Sequence, residues 1–186
     1  MVVFRTHVMI SGFATESGTK IFSEKFLSSN YKIFQNLHLS NIGMGTYLGE
    51  PDAKTDEDVK NAVKKSILSG VNVIDTAINY RAQKSERSVG KALDELINEN
   101  LIEREQIFIA TKNGYVTNDG DREEDFMQYI IREFGKTGIV KEGDISNGYH
   151  CMTIPYLDDQ LKRSLKNLNL ECIDLMYLHN AVEGHP

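Results

Sequence analysis

Four residues of this sequence are of types that could together protonate an oxygen as negative charge builds on it: Asp75, Tyr80, Lys112 and His179. A phenol ionises only near pH ~10 in water, so a tyrosine becomes a usable proton donor beside a cation that stabilises the phenolate. Tyr80 is the candidate donor and Lys112 the candidate cation. Asp75 is the candidate counter-charge, because a lysine withdrawn from water without one gives up its proton. His179 could orient a carbonyl through a hydrogen bond. Reduction of a ketone or aldehyde needs such a set: a hydride donor on one side of the carbonyl carbon and a proton donor at the oxygen. Taken singly, each residue has a plainer reading, as a loop cap, a solvated lysine, a surface tyrosine or a structural histidine. Their placement along the chain is what favours chemistry.

From Leu39 onward, short apolar runs alternate with segments of helical period, the pattern of parallel βα units. Leu39–Thr46 predicts a first strand ending in glycines, followed by a loop over 50–54 that contains Pro51. Thr55 and Asp58 read as a capping pair for a helix with Val59, Ala62, Val63 and Ile67 on one face, stopped by Gly70. Val71–Asp75 predicts the second strand, and Val89, Ala92, Leu93, Leu96 and Ile97 mark the next helix. Gln106–Thr111 is the third strand. Residues 115–155 then break the rhythm as an insertion in a βα loop, with a surface helix carrying Phe126, Tyr129, Ile130 and Phe134 on one face and ending at Gly135. Inside it, the acidic run Asp119–Asp125 reads as a solvated loop and helix start, and His150-Cys151-Met152 as packing without a metal site. Pro155 opens a helix with Asp158 and Asp159 in its first turn and a stripe of Leu157, Leu161, Leu165 and Leu168; Ile173–Leu178 is the fourth strand.

Asp75, Lys112 and His179 therefore each lie at the end of a different strand. In a closed barrel those ends converge on one mouth, whereas an open doubly wound sheet brings them together less readily. The expected fold class is α/β, of (β/α)8 TIM-barrel type, with about the first four βα units present.

Composition narrows the partners. A chain of 186 residues, 40% of them apolar, can bury one respectable core. A net charge of -6 without a dense Lys/Arg run argues against nucleic acid or an anionic membrane surface and leaves a small molecule as the expected partner. No run approaches the roughly 18 to 20 apolar residues of a membrane-spanning helix, and the first twenty residues are too polar for a signal-peptide core. Cys151 and Cys172 fit neither a disulfide framework nor zinc spacing, which predicts reduced thiols in a cytoplasmic protein.

The run Val73-Ile74-Asp75-Thr76-Ala77-Ile78-Asn79-Tyr80, with Lys84-Ser85-Glu86-Arg87 and Val89-Gly90-Lys91-Ala92-Leu93, resembles the aldo-keto reductase signature. Ala110-Thr111-Lys112 and Tyr177-Leu178-His179-Asn180 match the same family in order and position. Gly43-Met44-Gly45-Thr46-Tyr47-Leu48-Gly49-Glu50, Gly12-Phe13-Ala14-Thr15 and the insertion ending His150-Cys151-Met152-Thr153 resemble a little-characterised bacterial branch of it. The resemblance implies reduction of an aldehyde or ketone by hydride from NADPH, with NADH as the alternative. It assigns catalysis to Asp75, Tyr80, Lys112 and His179, lines the nicotinamide end of the cofactor with Gly45, Thr46 and Tyr47, and lets Asp75 touch the ribose. Residues 1–38 are then an N-terminal extension capping the barrel bottom, and 39–186 the N-terminal half of the barrel. Members of the family continue for four more strands, which supply most pyrophosphate and adenosine contacts. A half-barrel exposes two sheet edges, so a second half-barrel or a homo-oligomer is an expected partner. A non-catalytic half-barrel with a regulatory or interaction role is the second reading; the intact set of four residues argues against it.

Overall fold

The computed structural model describes residues 9–184, so the first eight residues of the expected N-terminal extension and the last two of the expected half-barrel lie outside the described residues. Helix α1 (Glu16–Ser23) is capped by Thr15, whose hydroxyl accepts the Gly18 N–H at 3.0 Å. Strands β1 (Tyr31–Phe34) and β2 (Leu37–Ser40) follow as an antiparallel hairpin. Gln35 and Asn36 reverse it with φ of 46° and 68°, the pair of left-handed residues that a two-residue hairpin loop requires. The single first strand expected over Leu39–Thr46 is thus split. Leu39 and Ser40 pair back onto Lys32 and Tyr31, Ser40 turns the chain by donating to Ile42 O at 2.7 Å, and only Met44–Gly45 (β3) joins the parallel sheet.

Helix α2 (Ala53–Leu68) starts earlier than expected because Asp52, not Thr55, is its cap: the Asp52 carboxylate accepts the Thr55 N–H at 2.7 Å. Its Val59, Val63 and Ile67 are buried, and Gly70 follows it with φ of 102°. Then come β4 (Val73–Asp75), α3 (Lys84–Asn98) and β5 (Phe108–Asn113). β5 begins two residues later than expected because Arg104–Gln106 form a 3-10 turn. The insertion holds α4 (Phe126–Ile130), one π turn over Ile131–Gly135, and the small hairpin of β6 (Ile145–Ser146) and β7 (His150–Cys151). Helix α5 (Ile154–Leu168), β8 (Leu175–Leu178) and α6 (Ala181–Gly184) complete the described chain.

β3, β4, β5 and β8 form one all-parallel sheet in that order, with β3 and β8 as its edges. Helices α2, α3 and α5 bury Val63, Ile67, Val89, Leu93, Leu96 and Leu168 together with Ile74 and Ile109 of the sheet in one apolar core. Gly90 lets α3 and α5 approach closely, since a Cβ there would stand 2.6 Å from Asn167 O. Of the leucine stripe expected on α5, Leu168 is fully buried and Leu157 and Leu165 are half-buried. Tyr156, Gln160, Ser164 and Leu168 are the buried positions, while Leu161 faces out. The insertion is more than a loop with a surface helix, because Val116, Tyr129, Ile130, Phe134, Val140, Cys151 and Tyr156 make a second core. Nor is its acidic run simply solvated: Asp119 and Asp121 pair with Arg87 and Lys84, and Asp125 caps α4. Among the described residues, no helix is long and apolar enough to cross a membrane.

Candidate active site

Sheet register explains why residues far apart in sequence meet. Gly45 pairs with Asp75, Asp75 with Ala110 and Ala110 with Leu175, so these four share one row and one face; Lys112 and Tyr177 occupy the same face two residues further along. Ile74, Ile109 and Thr111 point the other way, and all three are buried. Asp75 and Lys112 therefore stand on neighbouring strands, on the face away from the apolar core. The Lys112 ammonium donates to Asp75 Oδ2 at 2.7 Å, to the Thr76 carbonyl at 2.9 Å and to Tyr80 Oη at 3.0 Å. It also lies 4.6 Å from the centre of the Tyr80 ring. Because the phenol oxygen accepts from Lys112, its own proton remains available for another acceptor.

Tyr80 is carried by a costly piece of backbone. Arg81, Ala82 and Gln83 are consecutive left-handed residues, with φ of 51°, 52° and 74°, and none is glycine. Such residues cost on the order of 1–2 kcal/mol each, so the surroundings must impose the shape. Arg81 does so from a buried position, donating to Glu50 O at 2.9 Å and to Asp56 Oδ1 at 2.5 Å. Lys84 adds ion pairs to Asp56 at 2.8 Å and to Asp121 at 2.6 Å. The turn is thereby clamped between the first turn of α2 and the insertion.

His179 follows β8 and is set by backbone and side chain together. Its N–H donates to Asn113 O at 2.8 Å, its Nδ1 lies 3.1 Å from Asn79 Oδ1, and its ring stands edge-on to Tyr80 with centres 5.7 Å apart. With Asn79 presenting its amide oxygen, Nδ1 carries the proton; for a neutral ring to donate from Nε2 instead, the amide must turn to present its NH2. His150 of β7, fully buried, uses Nε2 to donate to His179 O at 2.9 Å.

The three residues assigned to the nicotinamide end differ in placement. Gly45 has nothing within 4 Å of where a Cβ would stand, and Tyr47 is exposed with its ring 5.0 Å from that of Tyr80. Thr46 is turned inward: its hydroxyl meets Thr76 Oγ1 at 2.9 Å, and its N–H and carbonyl bond to Asp75 O and Ser85 Oγ. Beneath the mouth, Glu86 is fully buried and accepts from Thr111 Oγ1 at 2.7 Å and Asn167 Nδ2 at 2.9 Å. Burial pushes its carboxyl pKa up, and these hydrogen bonds counter only part of that.

The four residues expected to be catalytic are thus brought together. Asn79, Arg81 and His150 were missed as supports, since contacts across the fold assign their roles and no local pattern marks them. His150 is packed, as expected, but it also ties the insertion to His179. A cleft of about 1080 Å³ lies elsewhere, between α3, α5 and the insertion. Much of its charge is paired within the fold, Arg87 with Asp119 and Asp121, and Arg163 with Asp159 and Glu133, which fits a structural seam.

Comparison with known proteins places the fold in a family. The model of the Aldo/keto reductase family matches residues 41–186. An NAD(P)H-dependent 6'-deoxychalcone synthase of Glycine max is 26% identical over 145 residues, 78% of this chain and 33% of that protein. Aldose reductase B of Dictyostelium discoideum is 43% identical over 75 residues, 40% of this chain and 22% of its own length. Among solved structures, an aldo-keto reductase from Bacillus halodurans in its holo form superposes with a TM-score of 0.51 at 24% identity, covering 83% of this chain and 43% of that one. The chain thus spans about a third of the first of these curated relatives and less than half of that solved structure. On the family match over residues 41–186, and with four parallel strands and their helices forming part of the expected barrel, the chain belongs to the aldo/keto reductase family.

Proposed function

We propose that this chain carries the acid–base half of a carbonyl reductase that converts a small aldehyde or ketone to an alcohol. The observation that supports it most is the Lys112 ammonium held within hydrogen-bond distance of both Asp75 and Tyr80 at a strand-end mouth. Tyr80 gives its proton to the carbonyl oxygen, and Lys112 stabilises the negative charge left on the phenol oxygen. Asp75 keeps Lys112 charged and aimed. His179, with the Asn79 amide turned, donates from Nε2 to the same oxygen and fixes the direction of the C=O bond.

The residues present suit a nicotinamide cofactor: the open ground over Gly45, the partly exposed Asp75 carboxylate and the Tyr47 ring leave room for a flat group beside Tyr80. We read Gly45, Tyr47 and Asp75 as direct contacts and Thr46 as the residue that holds them. NADPH, or NADH as the alternative, supplies the hydride; the name of the Glycine max relative supports this choice. We read residues 1–38 as the cap of the barrel bottom, and the edge strand β8, with Tyr177 and Leu178 48% and 56% exposed, as the place where further strands, a second half-barrel or another copy would join. The free thiols of Cys151 and Cys172 suit a cytoplasmic setting.

The test uses the naturally produced polypeptide that contains these residues. Tyr80→Phe is expected to slow NADPH oxidation by aldehydes roughly 10²- to 10⁴-fold, the usual weight of a general acid. Cofactor binding, followed by the fluorescence of NADPH itself because these residues include no tryptophan, should be unchanged. Undiminished turnover in Tyr80→Phe would remove the tyrosine from its assigned role.

A further inference from the structure

The rings around the mouth form a continuous series. Tyr47, Tyr80, His179, Tyr115 and Tyr149 follow one another with ring-centre separations of 5.0, 5.7, 4.8 and 5.5 Å. The first three belong to the strand ends and their loops, and the last two come from the insertion. Tyr115 meets His179 edge-on at 74° and lies nearly parallel to Tyr149 at 15°. The Lys112–Asp75 pair sits at the Tyr80 part of this series.

The far part of the series is rigid. Tyr115 is bridged to His150, with ring centres 4.2 Å apart, and its carbonyl accepts from the buried Tyr156 hydroxyl at 2.9 Å. Val116 N–H donates to Tyr149 O at 2.7 Å, and Cys151 N–H to Gly114 O at 2.9 Å. Tyr149 nevertheless remains 38% exposed. A fixed, partly open aromatic surface beginning 4.8 Å from His179 offers large contact area at little cost in side-chain entropy.

We infer that Tyr115 and Tyr149 form the wall that receives the carbon substituent of the substrate and selects carbonyls bearing a flat aromatic group. This deepens the reductase reading and rests on it for the position of the carbonyl between Tyr80 and His179. A planar π-system continues the edge-on and stacked contacts already present, while a saturated ring of similar reach is thicker and has no quadrupole to match.

Acetophenone and cyclohexyl methyl ketone separate these cases, since they share the carbonyl and differ in the ring. Their dissociation constants would be measured by calorimetry without cofactor, and their KM values with NADPH, on the naturally produced polypeptide. Acetophenone should bind roughly 2- to 12-fold more tightly, the range that one aromatic pair contributes. Tyr149→Phe should keep that ratio and Tyr149→Ala should bring it close to one. Equal binding by the parent protein, or a preference that survives Tyr149→Ala, overturns the inference. Preference in binding without turnover would sink the reductase reading and leave the wall standing; turnover without preference would do the reverse.

Discussion

The two ends of the parallel sheet both carry buried or half-buried polar side chains, yet they use them in opposite ways. At the N-terminal ends, Asn72 is fully buried and bonded to the backbone, accepting from Ser40 N–H at 2.8 Å and donating to His38 O at 2.8 Å. Asp174 there accepts the N–H groups of Ala14 and Ile109 and pairs with Arg104 at 2.7 Å, while Arg104 also donates to two backbone carbonyls. At the C-terminal ends, Lys112 links Asp75 to Tyr80 side chain to side chain, and the Asp75 carboxylate is 40% exposed. Buried polar groups bonded mainly to backbone hold strands to loops; polar groups that engage one another beside open solvent are poised for a third party.

Substitutions at paired positions can break this contrast. Asp174→Ala strands the buried Arg104 guanidinium and should cost about 3–5 kcal/mol of folding stability, seen as a large fall in melting temperature. Asp75→Ala should leave the melting temperature within about 2 °C, because the carboxylate is partly exposed, and should lower turnover at least as far as Tyr80→Phe does. If Asp75→Ala destabilised the chain as much as Asp174→Ala, the two ends would not differ in kind.

A smaller effect tests the support from the insertion. His150→Phe keeps an aromatic ring against Tyr115 but removes the donor to His179 O, and kcat should fall about fivefold, the kinetic equivalent of one hydrogen bond of ~1 kcal/mol. His150→Gln, which can still donate, should recover part of that loss. Equal kcat in all three proteins would reduce His150 to packing.

The alternation of short apolar runs with amphipathic segments was enough to place Asp75, Lys112 and His179 at neighbouring strand ends, because a parallel sheet converts that pattern directly into a shared edge. It was not enough for elements whose identity depends on distant partners. Leu39 and Ser40 read as continuous with Met44 and Gly45, and only pairing with Lys32 and Tyr31 separates them. The leucines of α5 read as a core stripe, but of them only Leu168 is fully buried, alongside Tyr156, Gln160 and Ser164. Thr55 met every local requirement of a cap, and Asp52, three residues earlier, met them as well. Local chemistry ranks such candidates, and packing chooses between them.

The smallest effect concerns Glu86, whose pKa is raised in the folded chain by burial. Its contribution to stability is fully present below the ordinary carboxylate range, near pH ~4.3, and is lost as pH rises through the raised value. Glu86→Gln has no such loss. The melting-temperature difference, variant minus parent, should therefore be more positive at pH 7.5 than at pH 4. A difference that does not change with pH would mean that Glu86 titrates alike in the folded and unfolded chains.

The three left-handed residues after Tyr80 carry a further consequence, in the order of assembly. The contacts that offset their cost are remote, Asp56 lying 25 residues before Arg81 and Asp121 37 residues after Lys84. Neither is in place until α2 and the insertion have docked. The turn that carries Tyr80, the proposed proton donor, is therefore expected to take shape only after those segments and to loosen when either of them detaches. Under the proposed function, a nascent or damaged chain would lack its proton donor until its distant segments had closed on the turn.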